Sequence, residues 1–357
     1  MKYLAIALWV LHGSIHFIGL PPLWGKATGD SALIGPHWAW AWGLAALLLL
    51  SAGTGYALGW EKWWWAGCAG LLLSQFLIIW FWPIARWGTA VNLALFLSVL
   101  SAAAAGRFTE RARAFEAALR ARAVEEQPLT GKELPGVAAR WQAFSNAAAD
   151  AALYGFTAHQ QGRMRTKPDG KWMPFRAEQF TAVRAPAFSW SVAVSAGPGI
   201  ALLGHDTYAG GQGHMLISLG GLFPVVDESG PAIDQGALLR FLAELVWMPQ
   251  GAAHPGIRWE AVGESQARAV MAYEGVEASG VFTFSSEGAF QRFEADRYYT
   301  QPGGAVLRPW LVEAAPQSYK VIGGAYLPTR LQITWKLEEG DFLWYEVELT
   351  AFEYDRI

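Results

Sequence analysis

Apolar positions follow two different rhythms along this chain. Between residues 3 and 105 they run almost unbroken in four stretches: Leu4 to Leu20, His37 to Leu58, Trp63 to Trp82 and Gly88 to Ala105. A bilayer core takes about 20 apolar residues per helix, so each stretch comes close to a membrane span. Turn and polar signals separate them: Pro21-Pro22 with Lys26 and Asp30, then Gly59 to Lys62, then Pro83 to Arg86. From Tyr154 to residue 355 the period is two. Phe188, Trp190, Val192 and Val194 alternate with Ser189, Ser191 and Ala193. Leu331, Ile333, Trp335 and Leu337 alternate with Gln332, Thr334 and Lys336, and Leu343, Tyr345, Val347 and Leu349 with Trp344, Glu346 and Glu348. One apolar and one polar face is the pattern of antiparallel strands solvated on one side.

Helical signals lie at the junction and once within the strands. Arg107 to Val124 is rich in Ala, Arg and Glu and predicts a helix leaving the membrane, as a surface-lying helix or a solvated stalk. Glu125 to Gly136 carries Pro128, Gly131, Pro135 and Gly136, a linker signal, and Ala138 to Leu153 is helix-like again. Asp234 to Met248 has Leu238, Leu239, Leu242 and Leu245 on a helical stripe, with Asp234 as its N-cap. Pro168-Asp169-Gly170 and Ser286-Glu287-Gly288 predict hairpin turns. The fold class expected is an α+β membrane protein. A four-helix transmembrane bundle (1–106) leads through a juxtamembrane helix and linker (107–136) to a soluble part (137–357). There a curved, half-barrel-like antiparallel β-sheet wraps one or two helices.

Composition sharpens this reading. The 357 residues are 53% hydrophobic and 16% charged, against roughly 25% charged in a typical soluble protein. A net charge of -3 gives no basic footprint, so no nucleic acid partner is expected. Cys68 is the single cysteine, which excludes a disulfide within the chain and a CxxC motif. Many of the 20 Trp residues flank the apolar runs, as interfacial anchors do.

Residues 1 to 20 have the Lys2 and apolar run of a signal peptide but no small-x-small cleavage site, so the first helix is expected to be retained. With four spans both termini share a side. That side holds five basic residues, Lys2, Lys62, Arg107, Arg111 and Arg113, against Lys26 and Arg86 opposite. The positive-inside rule then predicts a multi-pass protein of the inner (plasma) membrane with both termini cytoplasmic.

Candidate chemistry is sparse. His12 and His16 share one face of the first helix and, with Gln75 and Asn92, form a candidate polar cluster in the membrane part. Two imidazoles at this spacing fit a metal or haem iron, or interhelical hydrogen bonds that fix packing. No carboxylate sits in a span and a third ligand is not evident, so no metal and no cofactor is assigned. Asp206 and Tyr208 stand beside Gly204, Gly210, Gly211 and Gly213, a run that reads as a tight β-turn because no phosphate-loop motif is present. His205 and His214 lie nearby without a third ligand for zinc. Arg240 and Glu244 are four apart next to Trp247. They read either as an exposed i,i+4 ion pair or as the mouth of a cavity under the sheet. Glu294, Asp296 and Arg297 are assigned to a solvated strand face, and no Ser, His and Asp arrangement for catalysis can be assembled.

Several segments together carry a family resemblance. They include Leu11-His12-Gly13-Ser14-Ile15-His16, Leu73-Ser74-Gln75-Phe76 and Arg86-Trp87-Gly88-Thr89-Ala90-Val91-Asn92. Trp172-Met173-Pro174-Phe175-Arg176, Asp234 to Glu244 with Trp247 and Pro249, Arg297-Tyr298 and Pro309-Trp310 complete them. On these the chain resembles, over nearly its whole length, a bacterial family with a domain of unknown function, with or without a four-helix membrane part. Ile84 stands where the family pattern has an acidic residue, which weakens any charge-based role for that loop. The β part also resembles lipoprotein-carrier and sensor half-barrels in outline. Such carriers act outside the cytoplasm, against the charge bias, which is retained because no cleavage site or disulfide opposes it.

The function expected is membrane-tethered binding of a lipid or another apolar molecule in the β domain. Arg240, Glu244, Trp247, Asp206, Tyr208 and Trp172 are its candidate ligand-binding residues, and membrane lipid is a partner. The alternative is a membrane redox, metal or haem enzyme using the histidines of the first helix.

Overall fold

The structure is a computed structural model. It describes all residues except 1, 27, 28, 30–32, 130, 131, 149, 198, 199 and 302. Asp30 of the first loop and Gly131 of the linker therefore lie outside the described residues. The chain divides into two compact units, Met1–Thr109 with Gly220–Phe223, and Glu110–Leu219 with Pro224–Ile357.

The helices of the first unit are α1 (Lys2–Ile15), α2 (Pro36–Leu58), α3 (Trp63–Trp80), the single turn α4 (Trp82–Ala85) and the start of α5 (Gly88–Glu125). Among the described residues, four segments are long and apolar enough to cross a membrane: Tyr3–Trp24, Pro36–Leu58, Trp63–Trp80 and Gly88–Glu125. Pro36 opens α2, where its missing N–H is not needed. Gly59 closes it in the left-handed conformation, its N–H turned back to Gly55 and Tyr56. Beyond Ile15 the first apolar segment continues as 3-10 turns through Trp24. The fourth apolar segment does not stop at Ala105. α5 runs unbroken to Glu125, joining two helices that the sequence separates. Trp9 packs at the centre with Leu49, Trp63, Leu95 and Val99. Small residues admit it: a Cβ on Gly53 would lie 2.9 Å from Trp9, and one on Gly67 3.0 Å from its ring.

The second unit opens with α6 (Gly136–Phe144). The sequence extends this helix to Leu153, but it ends at Phe144, and Asn146 just beyond it adopts a left-handed φ of 49°. The Ala147 N–H reaches back to Gln142 and closes the helix there. The strands are β1 (Leu153–Met164), β2 (Met173–Ala182), β3 (Ala187–Gly197), β4 (Ile200–Ala209), β5 (Gln212–Leu219) and β6 (Phe223–Ser229). After α7 (Pro231–Ala243) come β7 (Ile257–Ala261), β8 (Gln266–Tyr273), β9 (Val276–Phe284), β10 (Phe290–Gln301) and β11 (Gly304–Ala314). The last are β12 (Tyr319–Ile322), β13 (Ala325–Pro328), β14 (Arg330–Leu337) and β15 (Gly340–Arg356).

Thirteen strands form one curled antiparallel half-barrel sheet in the order β6-β5-β4-β3-β2-β1-β15-β14-β11-β10-β9-β8-β7, and β12 pairs with β13 separately. The first and last strands of the sheet are thus neighbours near its centre. Register shifts at Leu153/Gly155, His159/Gln160, Ile333/Thr334 and Phe290/Arg292 bend it. Gly280 has no Cβ, which is what lets the Phe293 ring lie against β9. α7 packs on β4 and β5 from one arm and on β8, β9 and β10 from the other. Its Leu238, Leu239 and Leu242, with Leu245 just beyond, are fully buried. Neither the leucine stripe nor the concave sheet face could bury its apolar side alone.

Candidate functional site

The end of α7 carries two charges into the concave side of the sheet. Asp234 does not cap this helix. Its N-cap is Gly230, and Asp234 accepts the backbone N–H of Gly213 instead, at 2.7 Å. Helix α7 ends at Ala243, and Glu244–Trp247 continue as a 3-10 turn. Arg240 lies one turn before Glu244 and donates its Nε to Glu244 Oε1 at 2.7 Å. Its other nitrogens donate to Asp206 Oδ2 at 3.3 Å and Gln179 Oε1 at 3.2 Å. The guanidinium also lies 4.8 Å from the ring centres of Phe188 and Trp190.

The hydrogen-bond partners of Arg240 on the sheet come from one row. Gln179 of β2, Trp190 of β3, Asp206 of β4 and Met215 of β5 are successive cross-strand neighbours. Gln179 donates to Glu244 Oε2 at 2.6 Å and to Thr181 Oγ1 at 2.8 Å. Gln160 of β1 donates to Gln179 Oε1 at 2.9 Å and accepts the Trp190 indole N–H at 3.0 Å. These buried amides complete each other's hydrogen bonds and hold the carboxylate of Glu244 toward Arg240.

Beside this network is a cavity of about 250 Å³. Met164, Met173, Val192, Met215, Ile217 and Trp344 give it apolar walls, and Asp206, Arg240, Glu244 and Arg297 border it. Arg297 stacks over Trp310 at 4.8 Å. Burial pushes its guanidinium down to about 10, helped by the charge of Arg240. Burial raises the Asp206 carboxyl, against the pull of Arg240 and Arg297. For Arg240, burial lowers the pKa, the carboxylates of Glu244 and Asp206 outweigh it, and the net direction is up. A larger groove of about 890 Å³ on the opposite strand positions is open, and Arg163, Arg176, Arg330, Glu346 and Glu348 line it. Its charges are those of a solvated sheet face.

In the first unit, His12 Nε2 donates to Asn92 Oδ1 at 2.7 Å. His16 Nδ1 donates to the carbonyl of His12 at 2.9 Å, and His16 Nε2 lies 3.0 Å from Ser74 Oγ. Asn92 donates to Gln75 at 3.1 Å, and Gln75 to Thr89 at 3.2 Å. A second cavity, about 260 Å³, adjoins both histidines and is otherwise lined by Ile15, Ile34, Trp42, Ile78 and other apolar residues. Among the described residues no three His, Cys, Asp or Glu side chains gather so as to hold a metal ion.

Residues 132–354 match the model of a family described as "Family of unknown function (DUF6920)". The chain belongs to this family. The DUF6920 match covers α7 and the sheet as far as Tyr354 in β15, and so every residue around the cavity. None of the curated proteins matches the chain. Among solved structures, a LolA-superfamily protein from Nitrosomonas europaea is 10% identical, covers 62% of this chain and 93% of its own, and has a TM-score of 0.34. A putative outer membrane lipoprotein-sorting protein domain from Vibrio parahaemolyticus is 10% identical, with 61% and 90% covered and a TM-score of 0.32. A DUF1329 family protein from Desulfovibrio piger is 12% identical, with the same coverage and a TM-score of 0.30.

In this DUF6920 domain, Asp206, Arg240, Glu244 and Trp247 border one cavity. Trp247 is also fixed by its indole N–H, which donates to the Pro328 carbonyl at 3.0 Å. Tyr208 does not reach the cavity. It is buried between Phe188 and Tyr273, two residues further along β4. Trp172 lies outside the cavity wall, in the loop between β1 and β2, with the guanidiniums of Arg163 and Arg165 against its ring. Arg297 is not on a solvated face. Glu294 and Asp296 are exposed, but Arg297 has the opposite parity and turns inward with Phe293 and Ala295. His205 faces Ser189 at 2.9 Å and His214 faces Asp227 at 2.7 Å, so they serve different partners. Gln160, Gln179 and Trp344 belong to the site and carry no sequence signal of it. Trp344 reads as a polar-face position, but the register shift at Ile333/Thr334 makes it an extra residue of β15 and places it on the cavity wall beside Tyr345.

Proposed function

We propose that the β-rich unit of this protein binds a lipid or a similar apolar molecule in the cavity between α7 and the concave sheet. The observation that carries this reading is the cavity itself. It is enclosed by one face of a sheet, lined mostly by apolar side chains, and bordered at one place by a fixed polar network. A largely apolar cavity with a few convergent polar groups is the general form of a small-molecule site. Met164, Met173 and Met215 suit it to flexible chains, because unbranched thioether side chains adapt to irregular shapes.

The four apolar helices then serve as the membrane anchor, spanning the inner membrane with both termini cytoplasmic, as the basic residues near their ends favour. Residues 1–106 form the anchor, 107–136 the connection and 137–357 the binding domain. Arg240, Glu244, Asp206 and Trp247 shape the ligand site. His12, His16, Gln75 and Asn92 fix the packing of the anchor. The hydrogen bonds already made by these histidines support that role over ligation of a metal or haem.

The test is lipid extraction from the purified full chain followed by mass spectrometry. The reading expects a co-purifying apolar molecule that is lost when Ile217→Trp fills the cavity. A visible absorption band or bound metal, with no such molecule, would favour the redox alternative instead.

A further inference from the structure

Arg240 and Arg297 border the same cavity, yet their guanidinium groups are differently supplied. Arg240 donates to Glu244, Asp206 and Gln179. Arg297 forms no hydrogen bond and no close ion pair among the described residues; it stacks on the ring of Trp310 and feels Asp206 and Glu244 only as charges at longer range. The two nearby carboxylates are turned to Arg240, and Glu244 also receives Gln179. Two further donors around the cavity lack acceptors. The indole nitrogens of Trp310 and Trp344 are buried and have no partner among the described residues. Buried donors without partners are uncommon and call for an acceptor. α7 also leaves space for this arginine, because a Cβ on Gly236 would lie 3.4 Å from Arg297 Nε.

We propose that the cavity takes a single-chain amphiphile ending in a carboxylate or phosphate, with its anionic group on Arg297 and its chain along the methionine wall. This rests on the apolar-ligand reading above and names the ligand's charge and size. A planar guanidinium with free N–H groups pairs these oxyanions through two parallel hydrogen bonds. The charge is present in the physiological range, since the lowered value of about 10 for Arg297 still leaves it protonated there. Size points to one chain. A cavity of about 250 Å³ lies just below the range of small-ligand pockets, about 300–1,000 Å³. That suits a single short chain, or part of a longer one.

Native mass spectrometry of the full chain released from detergent, titrated with decanoate, decyl phosphate and decanol, tests this. At least one anion should bind about tenfold tighter than decanol, the usual worth of a hydrogen bond to a charged group. Tighter decanoate would assign the site to free fatty acids, and tighter decyl phosphate to a phosphate headgroup. Arg297→Gln should remove the preference for the anion over decanol, while Arg297→Lys should keep part of it. A thermal melt checks that the Gln variant is folded, and Arg297→Lys, which keeps the charge, is the second variant. If decanol binds as tightly as both anions, or if Arg297→Gln keeps the preference, the anion site is wrong and the apolar-ligand reading stands. If none of the three probes binds, both fail.

Discussion

Arg240 and Glu244, four residues apart at the end of α7, form a 2.7 Å ion pair whose side chains are only 16% and 11% exposed. The pair is not a surface bridge. It sits against the cavity, and each member has further partners: Asp206 and Gln179 for Arg240, Gln179 for Glu244.

Removing one partner should therefore be costly. An exposed i,i+4 pair is worth at most about 0.5 kcal/mol, whereas breaking a buried one leaves an uncompensated charge and costs roughly 3 kcal/mol or more. Glu244→Gln is expected at the larger value. Melts of the full chain in detergent measure it, and a midpoint equal to wild type would remove Glu244 from any structured site.

Acid should weaken the β-rich unit through His205. Burial pushes this imidazole down to about 4, and His214 adds to the effect. The unfolded chain titrates near 6.5 (roughly). Between these values the unfolded state binds more protons than the folded one. Stability is thus fully present above the unfolded value and is lost as pH falls through that window. The melting temperature of His205→Gln should fall less than that of wild type between about pH 7 and about pH 4.5. Parallel curves for the two proteins would mean that His205 is not held neutral.

In the first unit, His12 and His16 should be replaceable by another hydrogen-bonding side chain. Gln at both positions can still meet Asn92 and Ser74. Interhelical hydrogen bonds in bilayers are worth on the order of 1 kcal/mol each, so the double variant should stay folded in detergent with a small loss of thermal stability. Loss of a chromophore or bound metal on this substitution would overturn the packing role.

Topology is open to a direct check. Five basic residues near the helix ends on the side of the termini, against two opposite, predict a cytoplasmic Ile357. A phosphatase that works only in the periplasm should be inactive when fused there. An active fusion would reverse the orientation.

Much of the fold can be read in the chain, because its two periods are long and clean. The four apolar stretches and the alternating runs of β3 and β14 need no tertiary information. The helix between β6 and β7 is visible through its leucine stripe. What is hidden depends on register and parity. Trp344 changes face only because β15 gains a residue opposite Ile333 and Thr334. Arg297 follows its strand's inward parity, yet Glu294 and Asp296 nearby suggest a solvated face. Gln160 and Gln179 look like surface residues, since nothing local shows that they will satisfy each other and Trp190. Tyr208 lies close to Asp206 in sequence, but two residues along a strand carry it away from the cavity and into the core. The unbroken α5 is hidden for another reason, since its change from apolar to charged residues falls inside one continuous helix.

The central claim is that the space between α7 and the concave sheet receives an apolar chain. A fatty acid carrying a photoreactive diazirine in its tail, crosslinked to the full chain in detergent, tests this most directly. The account predicts labelled peptides from β2, β3 and β5, around Met173, Val192, Met215 and Ile217, and loss of that label in Ile217→Trp. Label confined to the helices of residues 3–105, or spread over the open groove at Arg163, Arg176 and Glu346, would contradict it.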